Sequence, residues 1–243
     1  MKMAAFGLRN AKEILRDPLT LAFSLGFPLA LLLLFSAIAA NAPAAPFELS
    51  RLTPGIAVFG LSFMTLFSAT LIAKDRESAL LQRLYTTPLT GMDFILGYAL
   101  PILPMAVGQS LVCYLAALAL GLPFTAGMLW AAAFILPISL LYVALGLLCG
   151  SVLNVKQVGG VCGALFTNLS AWLSGAWFDL DLVGGTFQRA AYALPFVHAV
   201  ELERALLEGR WALVPAHLAW VAGYALAAAA AAVLLFLRQM RRQ

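Results

Sequence analysis

Charged residues are scarce in this sequence: Asp, Glu, Lys and Arg make up 11% of its 243 residues, against about 25% in an average soluble domain. Hydrophobic residues make up 63%, and the mean hydropathy is +0.95. A single globule of this length cannot bury so large an apolar surplus, so lipid must be part of its solvent. A membrane-spanning helix needs about 20 consecutive apolar residues. Because the chain offers such runs repeatedly, we expect an all-α polytopic membrane protein.

Residues that carry chemistry are equally rare. Cys113, Cys149 and Cys162 lie in apolar runs without a CxxC pair, which is typical of small buried residues and not of a metal site or a disulfide framework. His198 and His217 have no nucleophile or ligand cluster near them in sequence, and we expect His198 to be a hydrogen-bonded structural residue. The sequence contains no GxxxxGK[ST] phosphate-binding loop. We therefore expect no enzyme activity, no metal and no cofactor in this chain.

Ionisable groups are also missing from the long apolar runs. No residue is charged between Leu52 and Ala73, or between Phe94 and Val155. Proton-coupled carriers usually hold ionisable groups within the membrane, so this absence argues against secondary transport. The net charge of +4 is spread along the chain and gives no indication of a nucleic-acid partner.

The apolar runs predict six membrane-spanning helices in one domain of residues 1–243. The predicted spans are 18–40, 54–73, 93–120, 127–151, 158–177 and 211–237. A basic start followed by an apolar run can also mark a secretory signal. The first run is longer than the ~7–15 apolar residues of such signals, so we interpret it as the first span.

Residues 1–17 predict an amphipathic helix that lies on the membrane surface. At 100° per residue, one face is apolar and consists of Met3, Ala4, Leu8, Ala11, Ile14 and Leu15. The opposite face is basic and consists of Lys2, Arg9, Lys12 and Arg16, with Phe6 at the boundary. This pattern is typical of an interfacial helix whose cations face anionic headgroups.

Residues 178–210 are too polar to form a span, although they contain the apolar stretch Ala190–Val200. At ~1.5 Å per residue, this stretch covers only about half of the ~30 Å hydrocarbon core. We expect two short helices that re-enter the outer leaflet and cap the path without crossing the membrane. A soluble domain fits this composition less well.

Six spans place both termini on one side of the membrane. Most of the Lys and Arg residues outside the spans lie on that side, which the positive-inside rule identifies as cytoplasmic. We therefore expect a multi-pass protein of the cell's inner (plasma) membrane. Both termini and residues 74–91 would be cytoplasmic, and residues 178–210 would face out.

Residues 74–91, with the sequence KDRESALLQRLYTTPLTG, form a charged segment between two long apolar runs. Their spacing predicts a short helix that ends before Pro88, because the residue before a proline is pushed out of the α region. A short helix with both charged and apolar groups suits a groove on a partner protein. The alternative is a positively charged loop that only fixes topology.

The run from Asp75 to Leu89 resembles the cytoplasmic segment of ABC-2 type transporter permeases. It has their acidic-Arg-Glu start, Leu-rich stretch and Thr-Pro-Leu end, although Ala79 stands where the family usually has Gly. The stretch from Leu194 to Gly209 resembles the family's last external segment, so the resemblance covers essentially the whole chain.

This resemblance implies a homodimeric exporter permease beneath which two separate ABC ATPase subunits bind ATP-Mg. The implied contacts with the ATPase are Arg76, Glu77, Leu80, Leu81, Arg83, Leu84, Thr87 and Pro88.

Spans two and five would flank the path of the cargo. The candidate path residues are Phe63, Met64, Phe67, Gln109, Thr167 and Asn168. Polar residues in lipid also join helices to one another, and aromatic residues also pack or face lipid, so both alternatives stay open. Because the chain has no dense cluster of charges, we expect an amphipathic or hydrophobic cargo, a drug or a lipid. A lipid-linked polysaccharide, which the same family exports, is the alternative cargo, and a non-transporting membrane scaffold is the alternative class.

Overall fold

The computed structural model describes residues 2–41, 48–78 and 90–240, and the secondary structure of these residues is helical. Five helical stretches are long and apolar enough to cross a membrane. They are Leu21–Asn41, Leu49–Glu77, Ile95–Ala119, Ala126–Val152 and Val214–Arg238. They match five of the six predicted spans, with ends that differ by a few residues.

The helices are labelled in chain order, and the first six include the surface helix and four of the apolar runs. They are α1 Lys2–Leu15, α2 Pro18–Asn41, α3 Leu49–Gly60, α4 Ser62–Glu77, α5 Gly91–Ala119 and α6 Ala126–Val152. The remaining helices are α7 Val155–Val158, a π-helix Gly159–Phe166, α8 Thr167–Leu173, a 3-10 turn Leu180–Leu182, α9 Gly185–Tyr192, α10 Pro195–Leu207 and α11 Val214–Met240.

Helices α3 and α4 together form the most buried of the apolar stretches. They are separated only at Leu61, whose backbone keeps near-helical angles (φ −68°, ψ −18°). The sequence predicts that this span begins at Pro54. In the structure, the helix begins at Leu49 and includes Arg51. Pro54 is thus the sixth residue of α3, inside the helix, where it donates no backbone hydrogen bond.

Glycines allow α6 to pack closely against α4. A Cβ atom on Gly146 would overlap Ser68 Oγ, and one on Gly150 would lie 2.6 Å from the carbonyl oxygen of Ala69. Thr65 donates a hydrogen bond to the carbonyl oxygen of Tyr142 at 2.8 Å. Small residues at this spacing let helices approach each other in lipid.

The predicted fifth span, 158–177, falls on a composite helix. It consists of α7, the π-helix and α8, which together run from Val155 to Leu173. Within it, Thr167 donates to the carbonyl oxygen of Cys162 at 3.0 Å, and Asn168 donates to that of Ala164 at 2.7 Å. This stretch is not one of the five candidate spans, so six spans remain a prediction.

Residues 178–210 contain the two short helices α9 and α10. Gly184 and Gly185 adopt φ +62° and +59° ahead of α9, a conformation that glycine accepts without strain. Pro195 is the first residue of α10, and Gly209 with φ +72° follows its end. Helix α10 is buried over most of its length against α3, α6 and α11. Protein therefore surrounds most of this helix.

Candidate coupling site

A bidentate ion pair joins α1 to the end of α4. Arg9 Nη1 and Nη2 lie 2.6 and 2.8 Å from Asp75 Oδ2 and Oδ1, and Asp75 is 1% exposed. Tyr98 of α5 donates a hydrogen bond to Asp75 Oδ2 at 2.7 Å. A planar guanidinium on both oxygens of a buried carboxylate fixes the relative orientation of the two helices. We call Arg9, Asp75 and Tyr98 the clamp.

Further contacts hold α1 against α5 beside the clamp. Phe6 packs edge-on against Tyr98 with ring centroids 4.9 Å apart, and it occupies the space over Gly97, where a Cβ would overlap its ring. Asn10 is fully buried and donates to the carbonyl oxygen of Gly97 at 2.9 Å. The sequence-based division of α1 into two faces is therefore incomplete. A third face packs on protein and contains Phe6, Asn10 and Ile14.

The electrostatics of Arg9 favour its charged form. Burial alone would lower the pKa of Arg9, but the hydrogen bond and the charge of Asp75 raise it, and the net shift is upward. Arg9 also pairs with Glu13 at 2.6 Å. The guanidinium of Arg9 therefore stays charged at physiological pH.

Arg76 and Glu77, which follow Asp75 in α4, bind the adjoining ends of α6 and α7. Arg76 donates to the carbonyl oxygen of Gly150 at 2.9 Å, in the last turn of α6. Glu77 Oε1 accepts from the backbone N–H of Val155, the first residue of α7, at 2.9 Å. A cation at a helix C-terminus and an anion at an N-terminus both complement the helix dipole.

Asp75, Arg76 and Glu77 thus contact four different elements: α1 and α5 through Asp75, the end of α6 through Arg76 and the start of α7 through Glu77. All three residues belong to the charged segment 74–91, which sequence analysis assigns to ATPase contact. The other predicted contact residues lie outside the described residues; they are Leu80, Leu81, Arg83, Leu84, Thr87 and Pro88. The sequence pattern predicts Arg76 and Glu77 as contact residues, but it gives no indication that Asp75 pairs with Arg9.

The predicted path residues occupy different environments. Phe63 and Phe67 are half-buried neighbours on one face of α4, with ring centroids 6.4 Å apart. Phe63 also contacts the exposed Phe27 of α2 at 5.5 Å. By contrast, Met64 and Gln109 are fully buried in the helix packing, where Gln109 donates to the carbonyl oxygen of Ala57 at 3.2 Å.

The two path residues of the composite helix also differ in exposure. Thr167 is buried, whereas Asn168 is exposed. Each donates its side-chain hydrogen bond to the backbone of its own helix. The structure therefore brings Phe63 and Phe67 together but places Met64 and Gln109 inside the bundle.

Buried charges also hold the opposite end of the bundle. Arg204 of α10 is 6% exposed and donates to the carbonyl oxygens of Gly175 at 2.9 Å and Arg51 at 3.2 Å. Next to it, Glu203 is fully buried and accepts a hydrogen bond from Tyr114 at 2.6 Å. Burial raises the pKa of Glu203 to about 8, and the hydrogen bond offsets only part of that rise. Sequence analysis misses Glu203, because its partner Tyr114 lies in a distant apolar run.

His198 is hydrogen-bonded through both ring nitrogens. Its Nε2 lies 3.0 Å from the carbonyl oxygen of Tyr192, and its Nδ1 lies 2.9 Å from Nδ1 of His217. The imidazole of His198 also stacks on Trp220 at 4.7 Å. Because a carbonyl oxygen only accepts, Nε2 carries a hydrogen. Within residues 2–41, 48–78 and 90–240, no group of three or more His, Cys, Asp or Glu residues could hold a metal ion.

The clamp lies in a part of the chain that matches a known protein family. A family model described as ABC-2 type transporter matches residues 2–207. The matched range begins at α1, contains the clamp with Arg76 and Glu77, and ends with α10. No curated protein matches the chain.

Proposed function

Since the chain belongs to the ABC-2 type transporter family, and is thus an ABC transporter permease, we propose that it exports an amphipathic or hydrophobic cargo. A separate ABC ATPase would drive this export, with ATP-Mg bound on that subunit. The chain would act as a dimer with a second copy of itself in the inner (plasma) membrane. A drug or a lipid is the proposed class of cargo.

One observation supports the coupling role most strongly. Three consecutive residues at the end of α4 are bound to four separate elements, α1, α5, α6 and α7. A partner that pushes on residues 74–91 would therefore act on all four elements at once. The close packing of α4 against α6 would carry such a movement into the membrane.

The proposed topology has six spans, with the composite helix Val155–Leu173 as the fifth. Its 19 residues would span ~28 Å at ~1.5 Å per residue, close to the thickness of the hydrocarbon core. Both termini would lie in the cytoplasm together with the clamp. Helices α9 and α10 would then cap the outer end of the path.

The partly exposed aromatic residues of α4 support an apolar cargo. Phe63 contacts both Phe27 and Phe67, and Phe59 of α3 joins the same row with its ring centroid 6.0 Å from that of Phe63. No member of this row is charged. We propose that this row forms part of the cargo path, with Asn168 contributing a polar group from the composite helix.

Transport by reconstituted protein tests this function. The chain would be purified with its ATPase and placed in proteoliposomes with a fluorescent amphipathic dye or a fluorescent phospholipid. We expect ATP-dependent movement of one of these probes, and none with an ATPase whose phosphate-binding lysine is replaced. If no ATPase copurifies and ATP moves neither probe, the chain is not an exporter subunit and the scaffold alternative gains support.

A further inference from the structure

An apolar groove lies between α1 and the two helices beside it. Its volume is about 680 Å³. The residues that line it come from all three helices and include Leu8 and Leu15 of α1, Leu21 and Leu25 of α2, and Pro101 and Gly108 of α5. Among the described residues that line this groove, none is charged and none has a polar side chain.

Gly108 lines the groove next to open space. A Cβ placed on Gly108 would meet no atom within 4 Å, so a larger side chain fits at this position without a clash. The groove extends along α5 from Leu100 to Gly108, which is ~12 Å at ~1.5 Å per residue. This shape and chemistry suit a hydrocarbon chain.

Cations lie directly beside the groove. A second hollow of about 550 Å³ shares Leu8 with the groove and is lined by Lys12 and Arg16. Both cations are exposed, and neither forms an ion pair with any residue in the described ranges. The other charges that line this hollow, Arg9 and Glu13, already pair with each other, and Arg9 also pairs with Asp75.

We propose that the groove and the neighbouring cations form a binding site for one anionic phospholipid. An acyl chain would occupy the apolar groove between α1, α2 and α5. The phosphate would lie against Lys12 and Arg16, where a helix at the membrane surface places its cations. The charges favour an anionic lipid over a zwitterionic one, because the ammonium of a zwitterionic headgroup offsets the charge of its own phosphate.

The acyl chain would lie on a different side of α1 from Asp75, although the hollow beside Lys12 and Arg16 shares Arg9 with the clamp. Arg9 reaches Asp75 on one side, while Leu8 and Leu15 face the groove on the other. The bound lipid would support α1 where protein does not. This role depends neither on the direction of transport nor on the identity of the cargo.

Thermal stability in defined lipid tests the proposal. The full chain, purified in detergent and stripped of lipid, would be heated with dioleoyl phosphatidylglycerol, with dioleoyl phosphatidylcholine or with inorganic phosphate. We expect phosphatidylglycerol to raise the melting temperature in a saturable way and more than phosphatidylcholine does. Native mass spectrometry should show one retained phosphatidylglycerol per chain from an equal mixture of the two lipids.

Two variants with matched controls locate the site. Lys12→Gln with Arg16→Gln should lower the apparent affinity for phosphatidylglycerol, read from the concentration that gives half the stabilisation, by roughly thirtyfold. This is the loss expected when two cations are removed at a membrane surface. Its control, Lys156→Gln with Arg238→Gln, removes two exposed cations elsewhere and should leave the effect unchanged. Gly108→Leu should fill the groove and abolish the effect, whereas Gly26→Leu, at an exposed position of α2 that is also free of neighbours, should not.

The same data can overturn the proposal. It is wrong if either site variant responds to phosphatidylglycerol as the unaltered chain does, or if the two controls lose the response equally. It is also wrong if inorganic phosphate reproduces the effect, or if phosphatidylcholine matches it, since the groove would then bind any amphipathic molecule. Retention of no anionic lipid by the unaltered chain would contradict the proposal without any variant.

Discussion

Arg9 and Asp75 are 66 residues apart in sequence, yet both oxygens of the Asp75 carboxylate are held by the guanidinium of Arg9 at 2.6 and 2.8 Å. The carboxylate is almost fully buried, while the guanidinium side chain remains 39% exposed. This ion pair connects the helix predicted to lie on the membrane surface with the helix that leads into residues 74–91. Movement at either end is therefore transmitted to the other.

The first prediction concerns this pair. Arg9→Gln leaves the buried Asp75 carboxylate without its counter-charge, which costs 3–5 kcal/mol in a fully buried pair. Because Arg9 is partly exposed, we expect a loss of roughly 1–3 kcal/mol, together with reduced transport. Melting temperature and ATP-dependent transport are the measurements. Arg238→Gln, which removes an exposed cation near the end of α11, should change neither; equal effects of the two variants would contradict the role of the clamp.

The second prediction concerns Glu77. Glu77→Arg removes the acceptor for the N–H of Val155 and places a cation at the N-terminus of α7. We expect a stability loss of only about 1 kcal/mol, because the site is exposed, but a large loss of transport. Glu77→Gln, which keeps an acceptor oxygen, should retain most of the activity. A variant Glu77→Arg that transports normally would show that this contact is not needed for coupling.

The third prediction concerns topology. Single cysteines introduced near Arg83 and Lys156 should react with a membrane-impermeant maleimide only from the cytoplasm. Cysteines near Glu48 and Glu208 should react only from outside. The composite helix Val155–Leu173 must separate the cysteine near Lys156 from the cysteine near Glu208. If both cysteines are labelled from the same side, this helix is not a span.

The fourth prediction concerns the buried carboxyl of Glu203. Its pKa is raised from an ordinary value near 4.5 to about 8, so between these values the folded chain holds a proton that the unfolded chain releases. This contribution to stability is complete below pH about 4.5 and is lost as the pH rises through about 8. Glu203→Gln stays neutral, so its melting temperature should exceed that of the unaltered chain at pH 9 by roughly 5 °C. The two proteins should melt alike at low pH.

If the difference in melting temperature between Glu203→Gln and the unaltered chain is the same at low and at high pH, the raised pKa of Glu203 is contradicted. Glu201→Gln, two residues away and partly exposed, is the matched control. It changes a neighbouring carboxyl of α10 that carries no comparable burial.

The apolar runs were sufficient to predict most of the helices. Charge-free stretches of membrane-spanning length located α2, α5, α6 and α11, because nothing except a helix can satisfy a lipid-exposed backbone in one segment. The polar composition of residues 178–210 correctly indicated short helices. The π-helix Gly159–Phe166 could not be predicted, since a shift in backbone hydrogen bonding leaves no clear pattern in a glycine-rich sequence.

The contacts of the clamp could not be predicted from sequence either. Arg9 lies on the basic face of α1 and Asp75 in a polar segment, and both residues have the local pattern of solvated charges. Only the packing of α1 on α5, through Phe6 and Tyr98, brings them together. Glu203 is a similar case, since its burial results from contact with Tyr114, which lies 89 residues away in the sequence.

Binding of the ATPase to residues 74–91 is the most direct test of the central claim. Leu81→Asp with Leu84→Asp should remove apolar anchors of the contact, and interfaces concentrate their binding energy in a few such residues. The measurement is the amount of ATPase that copurifies with the chain, at matched expression level and melting temperature. We predict that little ATPase is retained by this variant and that export is lost, while Phe124→Asp, at an exposed residue of the connection between α5 and α6, leaves both unchanged. Normal ATPase retention and normal export by the double variant would contradict the account.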